Sequence, residues 1–260
     1  MNRIKVDRNR CKGDGHCVDV CPARILFMDK NGFPEEIPGG QCILCGHCVA
    51  VCACEALGRT GLPKELFVPV SQEQLAPSAI DGLLISRRSV REFKDRPVPR
   101  EILESLLDVA RRAPTASNSQ KLHWIVVGGG AKVRALSEEA MNWLRTSNIP
   151  AARLEQWENG HDFVLRGAPT VIVACTPADY EWGKQDCAIA LTFLELAAEG
   201  RGLGVCWAGY LTRAAAFHAP LRKAMSIPDG YVVHGGLMIG ERKYSYRKVP
   251  PRKSLSVQWI

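Results

Sequence analysis

Two cysteine runs near the start of the chain have the spacing of iron ligands. The second reads Cys42-Ile43-Leu44-Cys45-Gly46-His47-Cys48-Val49-Ala50-Val51-Cys52, a complete C-x2-C-x2-C-x3-C frame. The first, from Cys11 to Cys21-Pro22, keeps that frame 31 residues earlier, with Asp14 where the second cysteine would stand. Three thiolates on a tight, glycine-containing loop reach three corners of a four-iron cubane, and the last cysteine of each run serves the other run's cluster. Cys11, Asp14, Cys17 and Cys52 are therefore candidate ligands of one 4Fe–4S cluster, and Cys42, Cys45, Cys48 and Cys21 of a second. A carboxylate is a harder ligand than a thiolate. Asp14 thus leaves several states open: an oxygen ligand, a labile iron, a 3Fe–4S cluster, or a side chain facing solvent. Cys54 lies outside the frame and reads as a buried spare thiol.

Zinc sites use paired C-x2-C units rather than runs of three with a trailing fourth. A disulfide framework lacks its usual context, because Met1–Arg10 is polar and basic with no apolar secretory core. These features predict a cytoplasmic, reducing home. No apolar run is long enough to cross a bilayer, so no membrane role is expected. The net charge of +7 is uneven: residues 1–63 carry eight Lys/Arg against seven Asp/Glu, and the rest holds the surplus. Much of that surplus clusters at Arg87-Arg88-Ser89-Val90-Arg91, Arg111-Arg112, Arg242-Lys243 and Arg247 to Lys253. No nucleic-acid recognition motif accompanies it, and phosphate on a small ligand is the simpler partner.

The elements that must carry these residues change character along the chain. Residues 1–62 hold short strands near Ile4–Val6, Leu26–Met28 and Glu36–Ile37 and too little apolar material to fold well without metal. Residues 63–77, with Pro63, Pro69 and Pro77, read as a linker. From residue 78 to 260 helices alternate with strands. Helices are expected over Ala79–Ser86, Arg100–Arg112, Ala131–Thr146, Asp186–Glu199 and Arg213–Met225. Strands are expected over His123–Val127, Thr170–Cys175, Val205–Trp207 and Tyr231–Ile239. The polar stretch from Asn148 to Arg166 reads as a flap. Asp186–Glu199 is so apolar that it needs cover on most sides, and a subunit interface would provide it. The tail after Tyr244 has no helical period and ends in Val257, Trp259 and Ile260. Cys175, Cys187 and Cys206 read as small core residues.

From Ser86 onward the chain resembles the flavin-binding nitroreductase family. The resemblance rests on Arg87-Arg88-Ser89-Val90-Arg91-Glu92-Phe93, Ala110 to Gln120, Gly167 to Val173, Gly202 to Trp207, and Pro251 to Leu255, in family order over about 175 residues. With the ferredoxin-like front end, the whole looks like a 4Fe–4S nitroreductase-type fusion. The resemblance implies an α+β fold with a central, mostly antiparallel sheet flanked by helices, and a homodimer with FMN at the subunit interface. It implies that Arg87, Arg88, Ser89 and Arg91 meet the flavin, completed by Arg252 and Lys253, a donor set suited to a phosphate monoester. Pro114, Thr115 and Ala116 would approach the flavin from the partner subunit, with Asn118 and Gln120 nearby. Ala116 stands where a serine is frequent in the family, so one hydrogen bond is absent there. Ala208-Gly209 would offer a backbone N–H near flavin N5. Gly128-Gly129-Gly130 lacks the G-x-G-x-x-G frame of a dinucleotide site.

The expected activity is electron transfer from a ferredoxin or other low-potential donor, through two clusters, to FMN and a small acceptor such as a nitroaromatic, quinone or activated alkene. Two alternatives stand beside it: NAD(P)H reduces FMN and the clusters pass electrons to a protein, or the chain is an iron–sulfur redox sensor. No side chain is singled out as a catalytic acid or base, since the cofactors carry the chemistry.

Overall fold

The computed structural model describes residues 4–71 and 73–260. Contacts divide the chain into two units, residues 1–74 with 117–119, and residues 75–116 with 120–260.

The first unit repeats one theme. Strand β1 (Ile4–Val6) pairs antiparallel with β4 (Leu57–Arg59), and β2 (Leu26–Met28) with β3 (Pro34–Glu36). Two four-residue helices, α1 (His16–Asp19) and α2 (His47–Ala50), follow Gly15 and Gly46. Both glycines hold φ near +75° (76° and 74°), a left-handed turn that favours a residue without Cβ. Each turn swings a cysteine inward, so Cys17 and Cys48 are buried. The buried core is Cys17, Cys21, Ile25, Leu26, Cys48 and Leu57. Half of it is thiol, which leaves metal ligation as the main source of cohesion. The expected strand at Glu36–Ile37 lies slightly earlier, at Pro34–Glu36, and β4 was not legible in the sequence pattern.

In the second unit β5 (His123–Gly128), β6 (Thr170–Pro177), β8 (Tyr231–Glu241) and β7 (Leu203–Trp207) form an antiparallel sheet in the order β5-β6-β8-β7. Central strand β6 is buried throughout apart from its last residue, and its side chains alternate between two cores. Val171, Val173 and Cys175 face a cluster with α5 (Gly130–Thr146), α8 (Gly209–Phe217) and α9 (Ala219–Ala224). Ile172 and Ala174 face a second with α4 (Arg100–Ala110) and α7 (Gly183–Gly200). Helix α3 (Pro77–Ser86) precedes them and buries no residue. The register slips between Ala174 and Cys175, leaving His234 as the extra residue of a bulge. No helix is long and apolar enough to cross a membrane among the described residues.

Two expectations are corrected. The helix expected over Arg213–Met225 is two, broken where extended His218 precedes Ala219-Pro220 (φ −116°, ψ 100°), because proline at the second position of a helix cannot continue the preceding one. The stretch expected as a flap contains α6 (Ala151–Glu158), whose Leu154 and Trp157 pack on the core. It then enters a buried turn at Asp162–Leu165. One Asp162 oxygen accepts from Ser137 Oγ at 2.6 Å, Val164 N at 2.9 Å and Leu165 N at 3.0 Å. Replacing Asp162 by alanine leaves these buried donors unsatisfied. We expect Asp162→Ala to cost about 2–4 kcal/mol, read as a lower urea midpoint at unchanged slope. All six tryptophans lie in this unit, so their fluorescence reports it.

Candidate functional site

In the first unit Cys21, Cys42, Cys45 and Cys48 line one cavity with Pro22, Ile25, Ile43 and Arg59. These are the four thiols assigned to the second cluster from spacing, and four thiols around an apolar pocket fit a 4Fe–4S cubane. Leu44 N donates to Cys42 Sγ at 3.3 Å. Arg59 is 5% exposed; its guanidinium is paired with Glu36 Oε1, whose other oxygen accepts from Ile4 N at 3.0 Å.

The first loop differs. Asp14 is exposed; one of its oxygens accepts from His16 N at 3.2 Å and the other lies 3.6 Å from His16 Nδ1. Cys54 is half-buried rather than buried, its sulfur 3.6 Å from that of Cys52. Burial pushes the Cys17 and Cys48 thiols up; Asp14 adds to the effect at Cys17, while Arg59 opposes it at Cys48.

In the second unit the segment from Arg87 to Arg91 runs along the free edge of β7. Val90 N donates to Val205 O at 2.8 Å, and Ser89 bridges Val205 in parallel. The approach requires Gly204, since a Cβ there would lie 2.6 Å from the Val90 side chain. Thus held, Arg87, Arg88, Ser89 and Arg91 line a cleft of about 310 Å³ with Tyr246, Pro250, Pro251 and Arg252. Arg88 donates to the carbonyls of Arg87 and Ile85, at 2.6 and 2.8 Å, yet its buried Nε has no partner among the described residues. Arg87 is committed elsewhere, to buried Glu195 at 2.9 Å. Glu195 also accepts from Trp207 Nε1 at 3.3 Å.

The other predicted residues lie apart from this cleft. Ala116 N donates to both oxygens of buried Asp186, at 3.1 and 3.3 Å, and Tyr180 Oη donates to the same carboxylate at 2.6 Å. This latch fixes the Pro114–Ala116 loop on the start of α7. Gln120 N donates to Thr115 Oγ1 at 3.1 Å. Ser117, Asn118 and Gln120 all carry φ between 50° and 53°, a concentration of uncommon backbone typical of functional loops. Asn118 counts with the first unit, where Nδ2 donates to the Ile43 and Leu44 carbonyls at 3.1 Å each. Ala208 N is consumed by Gly236 O at 2.8 Å. Gly209 opens α8, so its N–H has no intrahelical partner, and a Cβ there would meet nothing within 4 Å. Lys253 is exposed in the tail.

Residues 84–241 match the model of the nitroreductase family. The chain belongs to the nitroreductase family. Residues 3–53 match the 4Fe–4S dicluster domain, which joins an iron–sulfur segment to this family's oxidoreductase fold. Over 197 residues the chain is 26% identical to the chloronitrobenzene nitroreductase of Comamonas testosteroni, covering 62% of this chain and 86% of that one. Over 151 residues it is 31% identical to the 5,6-dimethylbenzimidazole synthase of Rhodospirillum rubrum, covering 51% and 69%. Among solved structures it is similar to an FMN-bound nitroreductase from Bacteroides fragilis, with 22% identity, a TM-score of 0.61 and coverage of 70% and 98%.

Arg59, Asp186 and Glu195 were missed as site residues in the sequence. For the last two a signal existed: each is a lone carboxylate on an otherwise apolar face of α7, and a buried carboxylate must find partners. Cys175, Cys187 and Cys206 are buried core residues of this nitroreductase-family unit, as their neighbours suggest. Burial pushes the Cys175 thiol up to about 11 and Cys187 up to about 12. From an ordinary value of 9.0, the folded state therefore keeps protons that the unfolded state has lost, and stability must fall as pH rises above that value. Urea midpoints are expected to decline from about pH 9 to 12, and Cys187→Ala should flatten the decline.

Proposed function

We propose that the chain is an FMN-dependent oxidoreductase that passes electrons between two 4Fe–4S clusters and FMN to reduce a small organic acceptor. The convergence of Arg87, Arg88, Ser89, Arg91 and Arg252 on one cleft carries this reading. A partnerless buried Arg88 Nε beside further guanidinium groups is a donor set that suits a phosphate monoester. Bound there, FMN supplies the electron and hydride chemistry that no side chain can.

The chain's own groups bind and orient. Arg88, Arg91 and Arg252 hold the phosphate, with Ser89 and Lys253 as further donors, and Arg87 is braced by Glu195. Gly209 directs its N–H to the ring edge, and the bare Cα of Gly209 leaves room for the ring to approach. Pro114, Thr115 and Ala116, with Asn118 and Gln120, come to the flavin at the interface of a homodimer. Ile189 and Phe193, each 38% exposed on α7, supply apolar surface for such an interface. Cys11, Cys17 and Cys52 hold the first cluster with Asp14 at its fourth corner; releasing the carboxylate from His16 lets it ligate iron, and a 3Fe–4S form follows when it does not. Cys21, Cys42, Cys45 and Cys48 hold the second. A low-potential protein such as a ferredoxin is the electron donor, and nitroaromatics, quinones and activated alkenes are the acceptor class.

Protein prepared without oxygen is expected to carry flavin and about seven to eight irons per chain, with the lower count marking a three-iron cluster at Asp14. In stopped flow, reduced ferredoxin should bleach the flavin faster than NADH does. Faster bleaching by NADH would reverse the direction of flow, and material with neither iron nor flavin would end the proposal.

The phosphate site makes a separate prediction. Arg91→Ala and Arg252→Ala should each weaken FMN binding by about tenfold to a hundredfold, one charged hydrogen bond apiece. Fluorescence titration of flavin-stripped protein measures it. Arg87→Ala should instead lower thermal stability, by stranding Glu195.

A further inference from the structure

The two cysteine loops are built on one plan, yet their charged surroundings are opposite in sign. Asp14 faces Cys17 in the first. In the second, Arg59 lines the same cavity as Cys21, Cys42, Cys45 and Cys48, and its charge acts on both Cys42 and Cys48. Its side chain is 1% exposed, so water screens that charge poorly. The position is fixed from two directions. The β1–β4 ladder sets Arg59 opposite Ile4, and Glu36 holds the guanidinium while accepting from Ile4 N. The Glu36 side chain is 19% exposed, so the pair presents its positive end to the thiols and its negative end toward solvent.

A cluster that accepts one electron becomes more negative by one charge. A buried cation beside it stabilises that reduced state, and net charge and hydrogen bonds at the sulfurs are the protein's means of setting a cluster's potential. We propose that Arg59 is a positioning residue that makes the Cys21/Cys42/Cys45/Cys48 cluster the more easily reduced of the two, so that an electron entering the first unit settles there. This rests on the two-cluster reading given above. The single electron comes from the low-potential donor and leaves to the flavin, with no bond made or broken at Arg59.

The test is a redox titration of the full-length, anaerobically loaded protein, followed by electron paramagnetic resonance. Arg59→Met should lower the reduction equilibrium constant of one cluster by tenfold or more, about 59 mV for a one-electron couple, and leave the other unmoved. Glu36→Gln removes the opposing charge and should shift the same cluster the other way. Arg59→Lys, which keeps the charge but not the planar fork, should fall between wild type and Arg59→Met. Unchanged potentials, or equal shifts in both clusters, would overturn the proposal. So would equal, same-sign shifts in Arg59→Met and Glu36→Gln, which would mark a structural disturbance. Should Arg59→Met lose its cluster, Arg59→Lys and Glu36→Gln still decide the sign. Wild-type protein holding one cluster would instead refute the two-cluster reading and leave Arg59 to be judged on the cluster that remains.

Discussion

The arginine cleft depends on the contact between Val90 and Gly204. A segment bearing three arginines has no reason of its own to lie in order, since guanidinium groups repel one another and prefer water. It does so because β7 exposes an edge on which the Arg87–Arg91 backbone can bond, and Gly204 lets the buried Val90 side chain come within reach. With Val90 turned into the core, Ser89 and Arg91 alternate away from it, as extended backbone requires. Farther along, Lys94 N donates to Glu241 O and Lys243 N to Glu92 O, so the same segment is also fastened to the end of β8. Glu195 then takes one of the arginines for structure, and a smaller set of donors remains for a ligand.

The first unit solves a related problem with fewer residues. It has almost no apolar core beyond its thiols, and its geometry is dictated by left-handed glycines that turn Cys17 and Cys48 inward. Sequence duplication makes the two loops alike in backbone, and similar loops alone would give clusters of similar potential. The difference comes from outside the repeat: β4 brings a buried cation to one side, while the first frame itself carries a carboxylate. Separation of charge across one small unit is an economical way to give electron flow a direction.

The family resemblance and the ligand frame were legible because they depend on local order: cysteine spacing, the Arg87–Arg91 motif, and the period of α4, α5 and β6. The alternating sides of β6 follow from its sequence once it is known to be central. The break at Ala219-Pro220 was also written in the chain but was overridden in reading by the apolar period on either side. Residues 148–166 misled for another reason, because their polarity is used internally: Asp162 takes up buried N–H groups that an unpartnered loop would present to water.

What the sequence by itself determined is the set of ligand types and their spacing, since a cubane or a phosphate selects donors by chemistry and by the reach of a short loop. Tertiary structure alone decided which charges face those donors. Glu195 meets Arg87 across 108 residues, Asp186 meets Ala116 across 70, and Glu36 meets Arg59 across 23. No local pattern announces such pairs, because a buried charge is satisfied by whatever the fold brings beside it, and that is settled only when sheet and helices pack.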